Sequence, residues 1–440
     1  MKITVIGGGS SYTPELIEGL IRNHKDLPVS ELWLVDVEND EARFKVRVIA
    51  DLTRRMFRKA GLEVTVTPTT DRRAAIEGAA YVVSQFRVGG LAARARDERL
   101  PLKYGVIGQE TTGPGGFAKA LRTIPVILDV CRDIRELAPD AWLINFTNPS
   151  GIITEAVVKH GGGVRVVGLC NVPIGMLRGA ARFANVDPSR VRMDFCGLNH
   201  LTWARRIYLD GQDITAFAVA ELAAAAEAGL LPPDFAFSAR WLKALGMLPC
   251  PYLRYYYETE RMLEEERRAA AEGGEGTRAE VVQGVERVLF QKYQDPDLAE
   301  KPDELSKRGG AYYSEVAVNL MTAIQTDRRD VHVVNVRNGG AIADLPDDVV
   351  VEVPAVVGRD GPRPLAIGHL DPKIRGLIQL VKAYEELTVR AGALGDRDAA
   401  LAALATHPLV PDERVAEKLL DDILAVNREY LPQFNSGGPS

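Results

Sequence analysis

Cysteine is scarce. The chain of 440 residues holds four, Cys131, Cys170, Cys196 and Cys250, widely scattered. So few, at such spacings, exclude a disulfide framework and fit a reducing cytoplasm. A basic excess is missing too: 54 Lys and Arg face 60 Asp and Glu, for a net charge of −6. General nucleic-acid binding needs a basic face to neutralise phosphates, so no nucleic-acid partner is expected. No apolar run reaches the roughly 18 residues of a membrane-spanning helix, so no membrane partner is expected either. Heptads and internal repeats are absent. The chain opens on "MKITVIGGG" without a basic n-region, an apolar h-region and a cleavage site. A secretory route is therefore not expected, and the cytoplasm is.

What remains is an ordinary soluble composition, 46% apolar and 26% charged, long enough for two domains. "KITVIG", "ELWLVDV", "LEVTVTP", "AYVVSQF", "AWLINFT" and "VRVVGL" read as six strands. They alternate with helical patterns such as "TPELIEGLIRNH" and "DEARFKVRVIADLTRRMFRKAG". That alternation predicts an α/β fold with an N-terminal Rossmann-like, doubly wound parallel sheet. After Cys170 the texture changes. "VRMDFCGL" and "TWARRIYLDGQDIT" read as strands, with "LDGQ" as a hairpin turn. Helical stretches follow, then "VHVVNVRNGG", "DVVVEVPAVV" and "PRPLAIG" as strands, then closing helices. This predicts a C-terminal mixed α+β domain, in an architecture like that of lactate and malate dehydrogenases. The expected division is 1–168 and 169–440.

The first strand-to-helix turn, "VIGGGSSYTPEL", carries Gly7 and Gly9 at the first two positions of a dinucleotide fingerprint. Glycines there permit a tight turn and let a pyrophosphate approach the backbone and the helix N-terminus. Tyr12 stands where the third glycine is usual. Gly7, Gly9, Ser10, Ser11 and Tyr12 form the candidate cofactor cradle. Asp36, ending the second strand, can bond a ribose 2′-hydroxyl and would repel a 2′-phosphate, which favours NAD over NADP. A glycine-rich turn without a ligand is the alternative reading.

A dinucleotide fold places its chemistry beyond the carboxyl ends of its strands. Arg87 follows the fourth strand, Asn145 and Asn148 the fifth, and Cys170 the sixth. Thirty residues beyond Cys170, "FCGLNHLTW" brings Asn199 and His200 to a strand junction. A thiolate and an imidazole can ligate a divalent metal and leave positions open for substrate or water. Spacing alone fits equally well a buried thiol and a hydrogen-bonded core histidine.

Taken together, "VIGGGSSYTPEL", "FRVGGLAARARDERLPLKYGVIGQETTGPGGF", "NFTNPSG", "GLCNVPIG", "FCGLNH", "LPCPYLRYYY", "GTRAEVV" and "VNVRNGGAIADLP" are very specific. Through them the chain resembles, nearly end to end, the NAD- and metal-dependent glycosidases of glycoside hydrolase family 4. It looks closest to the 6-phospho-β-glucosidases among them. The resemblance implies that Cys170 and His200 bind the metal, typically Mn²⁺, and that two paired carboxylates are not needed. It implies C3 oxidation by NAD⁺, C2 deprotonation, elimination of the C1 substituent, addition of water and re-reduction. In that scheme a metal stabilises the enediolate as Lewis acid.

By resemblance the C2 base is a tyrosine. Tyr252 aligns with the first tyrosine of the family motif, and Tyr255 and Tyr256 are neighbours on nearly the same helical face. A phenol titrates near 10, so a cation must help; a metal and Arg278 are candidates. Arg94, Asn148 and Arg278 match positions that contact the sugar or its phosphate in relatives, while Glu110 is expected to face the sugar. Asn148 is expected to reach the cofactor as well. Asn171 stands where relatives acting on α-glycosides carry an Asp that protonates the leaving group. Its amide cannot do so and accompanies β-substrates. The expected substrate is a phosphorylated β-disaccharide such as cellobiose 6-phosphate, and relatives form homodimers or homotetramers. Three rival readings are a family member acting on 6-phospho-α-glucosides or unphosphorylated glycosides, a 2-hydroxy-acid dehydrogenase, and a non-enzymatic NAD sensor.

Overall fold

Residues 1–235, 237–308 and 312–435 are described by a computed structural model. The six short apolar segments of the N-terminal part become strands β1 (Lys2–Ile6), β2 (Glu31–Val35), β3 (Thr65–Thr69), β4 (Tyr81–Ser84), β5 (Trp142–Asn145) and β6 (Arg165–Gly168). They pair in parallel in the order β3-β2-β1-β4-β5-β6. This is the strand order of a complete dinucleotide fold, whose crevice opens where the order reverses between β1 and β4. β1 and β4 are buried almost throughout, as strands covered on both faces must be.

The helices between them follow from local chemistry. Asp40–Lys59 starts at Asn39, whose side chain accepts from the Ala42 N–H, and carries Asp40 and Glu41 in its first turn. The long helix Gly113–Leu137 begins after Thr112 with Pro114 in its first turn, where a missing N–H costs nothing.

β7 (Val191–Leu198) and β8 (Leu201–Leu209) pair antiparallel, and β9 (Gln212–Asp213) adds to β8 through the expected hairpin. Asp210 and Gly211 hold that turn with φ of 51° and 82°, the left-handed pair such hairpins require. β10 (Leu248–Pro249) completes this second sheet, in the order β10-β8-β7.

The last strands do not form a sheet of their own. β11 (Asp330–Arg337), β12 (Val350–Gly358) and β13 (Gly361–Pro364) add antiparallel to β6, so the main sheet reaches nine strands among the described residues. Residues on both sides of Gly168 therefore build one sheet. The junction explains why a glycine ends β6. A Cβ on Gly168 would lie 2.1 Å from Thr154 Oγ1 and 2.8 Å from Asn335 Cβ, and β11 meets β6 at the Asn335–Gly168 pair. The late strands thus pass directly behind the loop that carries Cys170.

Candidate active site

A continuous cleft of about 1950 Å³ opens over the carboxyl ends of the parallel strands. A drug-sized ligand needs roughly 300–1,000 Å³, so this cleft has room for a dinucleotide and a sugar together. Gly7, Gly9, Ser10, Tyr12, Asp36, Arg94, Glu110, Asn148, Cys170, Asn171, His200, Tyr252 and Arg278 all line it. Ser11 is the exception among the candidate residues: it is buried, and its hydroxyl donates to Glu286 Oε1 at 2.8 Å.

One end of the cleft is made by backbone. Gly7 and Gly8 donate their N–H groups to Val35 O at 2.9 and 2.8 Å, which pins the loop to β2. Gly7 has φ of 86°, and a Cβ on it would lie 2.8 Å from the Phe86 backbone. A Cβ on Gly9 would lie 2.6 Å from Asp36 Oδ2, the oxygen that accepts the Gly9 N–H at 3.0 Å. The other Asp36 oxygen accepts the Val37 N–H at 2.9 Å. The acidic group is thus fixed at the edge of a cradle that only glycines permit, as a dinucleotide site requires. Tyr12, at the missing third glycine, is buried one residue before the helix Thr13–Arg22 and packs into the core.

The opposite end is made by side chains from distant segments. Cys170 sits just ahead of the helix Val172–Phe183 and its sulfur accepts from the Val172 N–H at 3.4 Å and from the Asn199 side chain. Burial pushes the thiol well above its ordinary value, and the nearby Glu352 pushes it the same way. The two donors and the helix N-terminus work against that, since they favour the thiolate. His200, with φ of 63°, turns the β7–β8 junction. Burial pulls its imidazole down to about 3, which keeps it neutral and able to ligate. Its Nδ1 lies 2.9 Å from Thr111 Oγ1. Among the described residues no group of three or more His, Cys, Asp and Glu side chains could enclose a metal. A soft sulfur and an imidazole on an open cleft suit a metal that keeps exchangeable positions.

Tyr252 stacks on the His200 ring, with centroids 3.8 Å apart and planes within 3°. Burial and the Cys170 charge push its phenol up; the strongest opposing cation is Arg94, not the Arg278 expected from sequence. Tyr255 also lines the cleft. Tyr256 does not share this place: its hydroxyl lies 3.5 Å from His407 Nε2, in a small separate core beside Ile107, Met262 and Leu409.

Glu110 does not face the cleft as a free carboxylate. Arg87, Arg94 and Lys119 all pair with it, the last two at 3.0 and 2.8 Å. Although burial works against it, these cations hold its carboxyl well below the usual range. Burial and Arg87 pull the Lys119 ammonium down to about 7. Arg94 also pairs with Glu98 at 2.7 Å, and Glu98 accepts the Ala279 N–H beside Arg278. The cluster carries more positive than negative charge and so offers an anion a place on the cleft wall.

Arg87 was legible as a strand-end residue; Lys119, Thr111 and Gln109 were not singled out. Lys119 had one signal, a lone cation amid the apolar "GFAKAL". Asn145 is structural: its side chain accepts from Ser84 and the Thr147 N–H and donates to Thr154.

A model of family 4 glycosyl hydrolases matches residues 2–186, and a model of that family's C-terminal domain matches residues 195–410. A probable 6-phospho-beta-glucosidase of Bacillus subtilis (strain 168) is 49% identical over 442 residues, 99% of this chain and 98% of that protein. The solved structure of the 6-phospho-beta glucosidase from Thermotoga maritima with manganese, NAD+ and glucose-6-phosphate has a TM-score of 0.88 at 39% identity, covering 98% of this chain and 99% of that one. Lactate dehydrogenase from Eimeria maxima, 16% identical, shares the fold with a TM-score of 0.51 over 90% of this chain and 97% of its own. That likeness bears out the dehydrogenase-like architecture and nothing further.

Proposed function

The chain belongs to glycosyl hydrolase family 4, and from that premise we infer that it is an NAD- and Mn²⁺-dependent 6-phospho-β-glucosidase. The observation that carries this reading is a single cleft onto which the Gly7–Gly9 cradle, Cys170, His200 and Tyr252 all open. The cradle residues leave room for a pyrophosphate against the backbone, with Asp36 at the ribose. Cys170 and His200 would hold the metal. When bound, the nicotinamide supplies a hydride acceptor for the sugar's C3 and the divalent cation a Lewis acid for its oxygens.

The chain's own residues then divide the remaining work. Tyr252, stacked on His200, is placed to take the C2 proton as phenolate. Arg94 and Arg278, joined through Glu98 and the start of the helix Arg278–Tyr293, are placed to hold the sugar phosphate. Asn148 and Asn171 line the same wall and orient hydroxyls. Asn171 has no acidic proton to give, which suits a β-glycoside. Glu110 acts on Arg94 and Lys119 rather than on the sugar directly.

A 2-hydroxy-acid dehydrogenase would pair its histidine with a carboxylate. His200 pairs with the hydroxyl of Thr111 instead, which disfavours that reading. The four described cysteines are free thiols, and no described helix is long and apolar enough to cross a membrane. Both facts support a reducing, cytoplasmic setting where phosphorylated β-disaccharides are split. Self-association as a dimer or tetramer belongs to the same proposal, supported by exposed Phe183 and Phe217 and read by sedimentation.

The test supplies 4-nitrophenyl β-glucoside 6-phosphate, its α-anomer and the unphosphorylated β-glucoside, each with NAD⁺, Mn²⁺ and a thiol reductant. Release from the first alone supports the reading. Faster release from either of the others overturns the substrate assignment, and no release from any overturns the activity.

A further inference from the structure

Only one ring nitrogen of a neutral His200 carries a free lone pair, and the hydrogen bonds at Thr111 decide which one. The Thr111 N–H donates to Gln109 Oε1 at 2.6 Å. A backbone N–H can only donate, so this contact identifies the amide oxygen and settles the Gln109 orientation. That same oxygen lies 2.8 Å from Thr111 Oγ1. Two oxygens so close need a proton between them, and only the threonine hydroxyl has one. Thr111 therefore spends its single proton on Gln109 and meets His200 Nδ1, 2.9 Å away, as an acceptor. The proton in that contact must come from the imidazole.

We propose that Gln109 and Thr111 form a proton-locked pair that holds neutral His200 with hydrogen on Nδ1 and aims the Nε2 lone pair at the metal site. Thr111 is a positioning residue and touches neither substrate nor cofactor in this role. The inference rests on the reading of Cys170 and His200 as the metal pair.

The loop is built to hold this geometry. A Cβ on Gly108 would lie 1.8 Å from Glu98 O, on Gly115 2.3 Å from Gln109 O, and on Gly116 2.5 Å from the Thr111 carbonyl carbon. Those glycines let residues 109–111 press between the helices Gly90–Arg99 and Gly113–Leu137. Side chains diverge along it: Gln109 folds back onto Thr111 and Thr111 meets His200, while Glu110 between them turns to Arg94 and Lys119. Tyr252 covers a face of the imidazole at 3.8 Å, so the ring is held by one edge and one face. Metal-bound histidines commonly donate their second nitrogen to a fixed acceptor, and loss of that acceptor weakens metal binding about 10–100-fold.

Two measurements test the lock. The first is ¹⁵N NMR of histidine-labelled, metal-free protein, with His200 assigned by comparison with His200→Gln. The expected result is a protonated Nδ1 and an unprotonated Nε2; a proton on Nε2 overturns the proposal. The second is the Mn²⁺ dissociation constant of the purified protein, by titration followed with electron paramagnetic resonance. Thr111→Val is expected to weaken Mn²⁺ by about 10–100-fold, with Thr111→Ser restoring it and NAD⁺ affinity unchanged. Wild-type Mn²⁺ affinity in Thr111→Val, or failure of serine to restore it, overturns the proposal. Cys170→Ser separates the two levels: unchanged Mn²⁺ binding there defeats the metal pair, while the tautomer seen by NMR is judged on its own.

Discussion

The two ends of the cleft are made of different material. The cofactor end is backbone: Gly7, Gly8 and Gly9 lie against β2 and β4, and added carbon would collide there. The chemical end is side chains: Cys170 follows β6, His200 turns β7 into β8, Tyr252 comes from a later short helix and Thr111 from the loop before Gly113–Leu137. A backbone site is defined by what must be missing and is contiguous in sequence. A side-chain site is defined by what must be present and is assembled from segments far apart. The first tolerates exchange of most surrounding side chains but no Cβ at its glycines; the second should fail atom by atom.

Substitutions at the chemical end should show the largest effects and leave the other end untouched. Cys170→Ser is expected to lower turnover roughly 10³-fold or more, since several kcal/mol of metal assistance are lost. NAD⁺ affinity, read by fluorescence titration, should stay within about threefold of wild type. A parallel loss of NAD⁺ binding would mean that the two ends are one cooperative structure. Tyr252→Phe should cost roughly 10²–10³-fold in turnover and abolish exchange of the C2 proton into deuterated water, with Mn²⁺ affinity kept. Retained exchange would move the base to another group on this wall, Tyr255 first.

The reciprocal test lies at the cofactor end. Gly9→Ala places a carbon 2.6 Å from Asp36 Oδ2, too close for both to keep their positions. It should raise the NAD⁺ dissociation constant about tenfold, or ~1.4 kcal/mol, without altering Mn²⁺ affinity. An equal effect on both would again erase the distinction.

The contrast also explains what the sequence could convey. Strand alternation pointed to six strands of a doubly wound parallel sheet because burial on both faces leaves a continuous apolar run, whereas their order came with the structure. The Gly7–Gly9 motif was legible because backbone geometry is local. β11, β12 and β13 read as strands, yet nothing in their pattern says that β11 would pair with β6, because pairing between distant segments is decided by packing. For the same reason the Glu352 carboxylate behind Cys170 was invisible. It comes from β12 and holds the Asn199 and Asn335 amides at 3.3 and 3.1 Å. Glu110 lines the cleft, but its partners were not legible, since Arg87, Arg94 and Lys119 come from a loop and two different helices whose packing brings them together. Ser11 was read as part of the cradle; contact with Glu286 from the helix Arg278–Tyr293 turns it away.

The smallest predicted effect concerns pH. Lys119 is pulled down to about 7, so it is charged below that pH and neutral above it, while Glu110 stays ionised throughout. The cluster around Arg94 therefore loses one positive charge as pH rises from 6 to 8. KM for a sugar phosphate should rise roughly threefold relative to Lys119→Met, in which no such charge titrates. The comparison with that variant removes the substrate phosphate's own titration, which is common to both. A KM ratio that is flat across this range would remove Lys119 from the account of anion binding.

We propose that sulfur from Cys170 and nitrogen from His200 meet at one metal on the wall of this cleft. The most direct measurement is the absorption spectrum of the protein titrated with Co²⁺ in place of Mn²⁺. A near-ultraviolet thiolate-to-cobalt band is predicted that saturates at one Co²⁺ per chain, is absent in Cys170→Ser and is lost or weakened in His200→Ala. A protein that turns over with Co²⁺ bound but shows no such band, or keeps the band in Cys170→Ser, would contradict the account.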